Sequence, residues 1–555
     1  MGHPLISPDI FVNEPKSKYV SNGSIQSIDE SEVLPDGQGF ESTIQLFGYE
    51  PQPEEQPWRP HVRDWAVFIC IVILAMMDAF DSTVLIPVVP HLASEFDKPL
   101  VSMLWVNTAY LLFSTAGQLF FAMMADVFAH APLWISAAVC TTVGTGICSG
   151  SMGVTELIVG RVLQGIGGGG CLSMCFVVMA ESTPPAIHSR YSCYILLTRL
   201  IGFVLGPIAG GLFVDNANWT WGFYFNFIFC ALGLLAIPFA SDLRVPNNLP
   251  LRKLRTLDWS GAVMAIVAPG CMVIGLSWGG ILFHWAEWQV VVPLAVGAGV
   301  LIALVLYESI WTLRPQFGAR VFRNWPTAAT YIGCFCHGFV LFGHLQFFAL
   351  YFMFAKYFSA TLSGVALVAI LGFAIMPAAV VGIILARESE CSKFVISGGW
   401  ILTTVTAGCA IVLDPSTPTV GWVFLFFTAG LGHGLLLSSY NIRTHSLRME
   451  ESGTFSTQPI TISIFTRAYG MAISVPVGGV IFLNLFGQAL FDAGLSRDLS
   501  HGARGYLISM NEMQMPAATR DAVKYAATGG LQAVWELIAV VSALGGVSSV
   551  ALWRK

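Results

Sequence analysis

Two carboxylates less than one helical turn apart, Asp78 and Asp81, stand in an otherwise apolar stretch, 65–88, and three arginines, Arg161, Arg199 and Arg467, stand inside other apolar stretches. An ionised side chain surrounded by hydrocarbon is costly, so each needs a partner of opposite charge or a task. The chemistry open to such a set is reversible protonation. Burial favours the neutral carboxylic acid, a nearby guanidinium favours the carboxylate, and alternation between the two makes proton affinity depend on conformation. Counted at about 1.5 Å per residue, Asp81 lies roughly 22 Å along its stretch and Arg161 roughly 8 Å below the opposite face, so their depths are similar. Asp78 shares the helix face of Asp81. Asp78, Asp81 and Arg161 are therefore the candidates for proton coupling, the alternative being a static buried pair that holds two helices together.

Other polar side chains in apolar stretches are candidates for lining a substrate cavity: Asn107, Tyr110, Gln164, His337 and His344, together with Arg199 and Arg467. His337 and His344, seven residues apart, share a helix face. The two arginines suit an anionic or carbonyl-rich ligand, unless they extend back toward the lipid headgroups. Histidines and carboxylates are too few and too scattered for a metal centre, and the twelve cysteines, nearly all in apolar stretches, read as buried thiols without metal or disulfide role. Gly165-Ile-Gly167-Gly-Gly-Gly170 fits a dinucleotide-binding pattern but follows no strand, and no phosphate-binding Gly-Lys-Ser/Thr loop occurs. No catalytic residues, no cofactor and no nucleic-acid partner are expected.

The elements that must position these residues are membrane helices. Charged residues make up only 11% of the 555, against about 25% in soluble domains. Fourteen stretches are long enough to span hydrocarbon: 65–88, 102–125, 132–150, 156–180, 192–214, 221–240, 259–278, 288–307, 327–354, 361–386, 395–413, 419–439, 459–485 and 531–551. Before them lies an acidic, polar segment, 1–63, expected to be a disordered cytoplasmic tail without a cleaved signal, so that the first span directs insertion. Eighteen Lys and Arg residues fall on the side of the N-terminus and six on the other, which predicts both termini in the cytoplasm. The connection 486–530 is long enough to hold a short surface helix. Pro269, Pro377 and Pro476 are expected kinks.

The span 192–214 carries Gly202, Gly206, Pro207, Gly210 and Gly211, small residues at four-residue spacing that let another backbone approach closely. Its pattern repeats: Arg199-x-x-Gly202-x7-Gly210-Gly211 recurs as Arg467-x-x-Gly470-x7-Gly478-Gly479. With spans 7 and 8 set aside, these are the fifth helices of two six-helix halves, related by an axis along the membrane normal.

Residues 65–485 resemble the fourteen-span drug:proton antiporter branch of the major facilitator superfamily in its fungal form. The resemblance rests on Phe80-Asp81-Ser-Thr83 in span 1, Trp105-Val-Asn107-Thr-Ala-Tyr110 in span 2 and Arg161-Val-Leu-Gln164-Gly165 in span 4. The helix 5 antiporter pattern Gly202 to Gly211, Trp219-Thr-Trp221-Gly-Phe-Tyr-Phe-Asn226 entering span 6, and Asp258-Trp-Ser-Gly261 opening span 7 complete it. It implies an all-helical fold with two six-helix bundles, 64–240 and 326–555, and two extra central helices in a linker, 241–325. It also implies a monomer in the plasma membrane that moves a small amphipathic compound, such as a drug, toxin or secondary metabolite, outward against protons. Uptake of an organic nutrient or siderophore, and a non-transporting sensor, are the alternatives.

One departure stands out. The loop between spans 2 and 3 reads Ala122-Met-Met-Ala125-Asp126-Val-Phe-Ala129-His130-Ala131, without the glycines and basic residues usual in the superfamily. Asp126 is kept, and Arg190 is the expected replacement cation for a gate at that face.

Overall fold

The computed structural model describes Trp58 and residues 60–240, 257–310, 324–386, 389–451, 458–494 and 517–553. The acidic segment 1–57, the centre of the long connection at 495–516, and much of the basic charge used for orientation (in 1–57, 59, 241–256, 311–323, 387–388 and 554–555) lie outside the described residues. Everything below concerns the unit Pro60–Lys555.

Among the described residues, fourteen long helices follow one another: α1 Val62–Thr83, α2 Leu100–Ala125, α3 His130–Ser149, α4 Val154–Ser182, α5 His188–Asn216, α6 Trp221–Ala240, α7 Trp259–Trp278, α8 Trp288–Ile310, α9 Trp325–Phe354, α10 Ala360–Leu385, α11 Ser389–Ala410, α12 Thr419–Glu451, α13 Gln458–Asp492 and α14 Ala517–Val550. Each coincides with one expected span. Thirteen are long and apolar enough to cross a bilayer. The other, α11, opens on Ser-Glu-Cys-Ser-Lys but fills a regular place, packing on α12 and α14 as α3 packs on α4 and α6.

The first span ends earlier than its hydropathy suggests. α1 stops at Thr83 and a separate short helix, Val89–Glu95, follows. Pro87 is the cause: it has no N–H to give the Thr83 carbonyl and its ring collides with that turn. The long connection after α13 is also shorter than expected, because α13 runs to Asp492 and α14 starts at Ala517. Pro269, Pro377 and Pro476 lie inside α7, α10 and α13 without ending them.

Helix packing shows two six-helix bundles. In the first, α1 packs on α5 and α6, α2 on α4, and α3 on α4 and α6; in the second, α9 packs on α13 and α14, α10 on α12, and α11 on α12 and α14. Adding eight to each number in the first set produces the second. The bundles meet where α5 lies on α10 and α2 on α13, two contacts that exchange under the same operation. The extra pair α7 and α8 pack on each other, and α7 leans on α13.

The glycines of α5 serve two neighbours. A Cβ at Gly202 would sit 2.6 Å from the Met76 carbonyl oxygen, and Cβ atoms at Gly206 and Gly210 would strike Thr83 and the Val84 carbonyl, so this row seats α5 on α1 within one bundle. Gly211 faces the other bundle, where a Cβ would meet the Ala360 carbonyl of α10, and Gly364 of α10 likewise meets the Pro207 carbonyl.

Candidate functional site

Asp81 sits in the last turn of α1 and is completely buried. Its carboxylate accepts two bonds from neutral amides: Gln164 Nε2 donates to Oδ1 at 3.0 Å and Asn226 Nδ2 to Oδ2 at 2.8 Å. Both amides also reach Thr145 Oγ1 on α3, at 3.0 and 3.2 Å, so one carboxylate ties together α1, α3, α4 and α6. Arg161 does not pair with it directly. Its Nη2 donates to the Asp81 main-chain oxygen at 2.9 Å, its Nη1 to Gln164 Oε1 at 2.7 Å and its Nε to the Val106 oxygen at 3.3 Å, while its guanidinium covers the Tyr110 ring at 4.2 Å. The reason begins at Pro87. Where a helix stops, its last carbonyls lack helical donors, and the premature end of α1 leaves the Asp81 carbonyl to the arginine. Gln164 thus relays between cation and carboxylate.

Asp78 has a different partner. Arg199 Nη2 donates to its Oδ2 at 2.8 Å, joining α5 to α1, and the Tyr110 hydroxyl donates to its Oδ1 at 3.1 Å. Arg199 also lies over the Phe203 ring at 5.3 Å. Its charge is thus paired with the acid three residues before Asp81 on α1. Tyr110, buried beneath Arg161 and bonded to Asp78, supports this cluster instead of lining open space.

In the second bundle the two histidines of α9 meet a third that the sequence reading passed over. His344 Nδ1 lies 2.9 Å from Nε2 of His433 on α12, and the His337 ring is centred 5.4 Å from the His433 ring. His344 stacks on Phe348 at 4.9 Å, and Phe348 packs on Phe426 at 3.9 Å and Trp535 at 4.5 Å. Arg467, on α13, is buried with Nη2 3.9 Å from Cys334 Sγ, and within electrostatic reach of His337 and Arg199. Asn107 bonds across the bundles, donating to Gln346 Oε1 at 3.2 Å. A polar residue inside an apolar span was the available signal for Thr145, Gln346 and His433, and Asn226 stood in the motif that enters span 6. The twelve cysteines are free, eight of them buried.

A profile of the Major Facilitator Superfamily matches residues 71–474, most of the helical region. The chain belongs to the Major Facilitator Superfamily. It is similar to the MFS transporter L2 of a Phoma species, at 28% identity over 90% of this chain and 83% of the relative. The MFS efflux transporter aclA of Aspergillus oryzae is 28% identical over 89% of this chain and 90% of its own length. Among solved structures, an inward-facing bacterial homologue of the human lysosomal transporter Spinster shares the fold, with a TM-score of 0.58 at 15% identity, covering 88% of this chain and 98% of that one. The chain is thus a multi-pass membrane transporter, similar to fungal efflux pumps, and not an enzyme.

The bundles of this superfamily member are joined at both ends of α5. Near its C-terminal end, Asp215 Oδ2 accepts from the Thr361 backbone N–H at 2.8 Å, at the start of α10. Near its N-terminal end, Ser192 Oγ bonds Asn441 and His445 of α12 at 2.9 and 2.8 Å. At the loop between α2 and α3, Arg190 does not supply the missing cation: it lies on the exposed side of α5, where Nε donates to Tyr194 one turn on, at 2.8 Å. The residue that meets an acid there is His130, whose Nδ1 is 2.8 Å from Glu181 Oε2. Burial pushes the neighbouring Asp126 carboxyl above its usual range, against the pull of His130.

Proposed function

We propose that this protein exports a small amphipathic organic compound in exchange for protons, as a monomer in the plasma membrane with both termini in the cytoplasm. The observation that carries the reading is Asp81: a fully buried carboxylate whose two oxygens face neutral amides while the nearest cation, Arg161, holds its main-chain oxygen. Transfer of Arg161 from the carbonyl to the carboxylate would favour the ionised form there, so a proton carried on Asp81 would be released. Both arrangements need only side-chain movement within the α1, α4 and α6 cluster, provided the bundles, residues 64–240 and 326–555, rock about the α5–α10 and α2–α13 contacts with 241–325 as the linker. Asp78, clamped by Arg199 and Tyr110, holds α5 on α1 while this occurs.

Outward direction is supported by the names of the relatives, which include the efflux transporter aclA and, at 29% identity over 70% of this chain, an efflux pump of Gibberella moniliformis. Asn107 and Gln346 bridge the bundles, leaving Asn107 Oδ1 and Gln346 Nε2 without partners, so they are groups a substrate can recruit when the bundles part. The His130–Glu181 bridge and Asp126 take the place of the superfamily's basic gate at the cytoplasmic face. The test is accumulation of a panel of fluorescent amphipathic dyes in cells with and without the protein. Export lowers accumulation and does so less when the proton gradient is collapsed; raised accumulation would mean uptake, and an unchanged level for every dye would refute transport of this class.

A further inference from the structure

The fifth helices of the two bundles carry the same pattern at an offset of 268 residues, and their contacts with the first helices keep the same register. Gly202 of α5 lies against Met76 and Phe80 of α1; Gly470 of α13 lies against Phe335 and Phe339 of α9. The shift that carries Met76 to Phe335 and Phe80 to Phe339 carries Asp78 to His337, and the shift that carries Gly202 to Gly470 carries Arg199 to Arg467. The first bundle therefore holds the ion pair Asp78–Arg199, and the second holds His337 and Arg467 at the corresponding places. The arginine is kept and its acid is gone.

The consequence is an excess of positive charge in the protein's interior. Arg467 is 5% exposed and His337 not at all. Arg467 Nε has no hydrogen-bond partner, the backbone of His433 is the group nearest to bonding the His337 ring, and Arg467 Nη2 reaches the Cys334 sulfur at 3.9 Å. Among the described residues no carboxylate pairs with Arg467, and the other cation within its reach, Arg199, is already committed to Asp78. A buried guanidinium without an anion is strongly disfavoured, and leaving buried donors unbonded adds further cost. Both costs fall if an anionic oxygen comes to lie against the Arg467 guanidinium beside His337. A guanidinium and an imidazole N–H offer it charge-assisted hydrogen bonds.

We propose that the transported compound is an organic acid whose carboxylate, or comparably acidic oxygen, docks on Arg467 and His337 in the place that Asp78 occupies in the first bundle. This rests on the reading of the chain as a substrate exporter, and it narrows the substrate class. His433, beside His337, and the aromatic group Phe348, Phe426 and Trp535 beyond His344 lie along the same side of α9 and suit an apolar or aromatic body attached to the acid.

The test is binding to the full-length protein in nanodiscs of a panel of matched acids and amides, beginning with 1-naphthoate and 1-naphthamide, measured by ligand-induced thermal shift and by calorimetry. At least one acid binds about ten- to hundredfold more tightly than its amide, the range expected for hydrogen bonds to a charged group. Arg467→Gln removes that preference. If Arg467→Gln does not fold, His337→Asp serves, because it rebuilds the ion pair of the first bundle: the protein melts no lower than wild type and the acid preference disappears. Equal binding of acids and amides across the panel, acid binding that persists in a folded Arg467→Gln or His337→Asp protein, or displacement of every acid by chloride in place of gluconate would each overturn the proposal. Acid binding with this pattern but no outward movement in vesicles would instead count against export, leaving the site assignment intact.

Discussion

Arg199 Nη2 lies 2.8 Å from Asp78 Oδ2, an ion pair between helices α5 and α1 whose side chains are 11% and 2% exposed. Its register-matched counterpart in the other bundle is Arg467 with His337, so the two halves share a scaffold and differ in charge. That difference leaves Arg467 without the acid that Arg199 has.

The pair should dominate the stability of the first bundle. Replacing only Asp78 by Asn, or only Arg199 by Gln, strands a buried charge and should cost about 3–5 kcal/mol. The double replacement should cost less than either single one. Melting temperatures of the three variants in detergent give the comparison, and additive losses would contradict a direct pair.

Asp81→Asn should keep the helices in place and remove coupling. An amide can still accept from one of Gln164 and Asn226 but turns a donor toward the other, at a cost of about 1–3 kcal/mol. The folded variant should show export that no longer responds to an imposed pH gradient in proteoliposomes. A wild-type response would rule out Asp81 as the proton carrier.

The seam between α5 and α10 leaves no room for larger residues. Gly364→Val must push against the Pro207 carbonyl and Gly211→Val against the Ala360 carbonyl, and overpacking of this kind costs about 1–3 kcal/mol or more. Both variants should melt lower than wild type and transport more slowly. Gly299→Val, where a Cβ has open space around it, should be unaffected on both counts.

The loop between α2 and α3 should respond to pH. The His130–Glu181 contact is an ion pair only while the imidazole is protonated, ordinarily below about pH 6.5. Asp126 works in the same direction: burial raises its folded-state value, so its contribution is full below the ordinary carboxyl value and is lost as pH rises through the raised one. Acidification from about pH 8 to about pH 5.5, across the ordinary imidazole range, should therefore raise the melting temperature. Glu181→Gln should flatten the rise, and His130→Arg should make the bridge independent of pH over that interval.

The helices and their order were legible in the chain because hydropathy over about 20 residues is a local property that the bilayer enforces. So was the two-bundle plan, since Arg199 and Arg467 repeat in matching glycine frames. The presence of costly intramembrane charges was legible for the same reason: composition alone marks them. Their partners were not. Depth along separate helices pairs Asp81 with Arg161; the end of α1 at Pro87 is local, but that Arg161 takes the main chain and the carboxylate goes to Gln164 and Asn226 is decided by tertiary packing. Arg199 finds Asp78 across 121 residues, and His344 finds His433 across 89. Rotation of one helix about its axis decides such contacts, and that rotation is set by glycine rows seating one backbone on another. The sequence by itself determined that charged residues stand inside a membrane fold; only the tertiary structure decided that Arg199 meets an acid, Arg161 main-chain and amide oxygens, and Arg467 no carboxylate among the described residues, because those contacts depend on how the helices are rotated against one another.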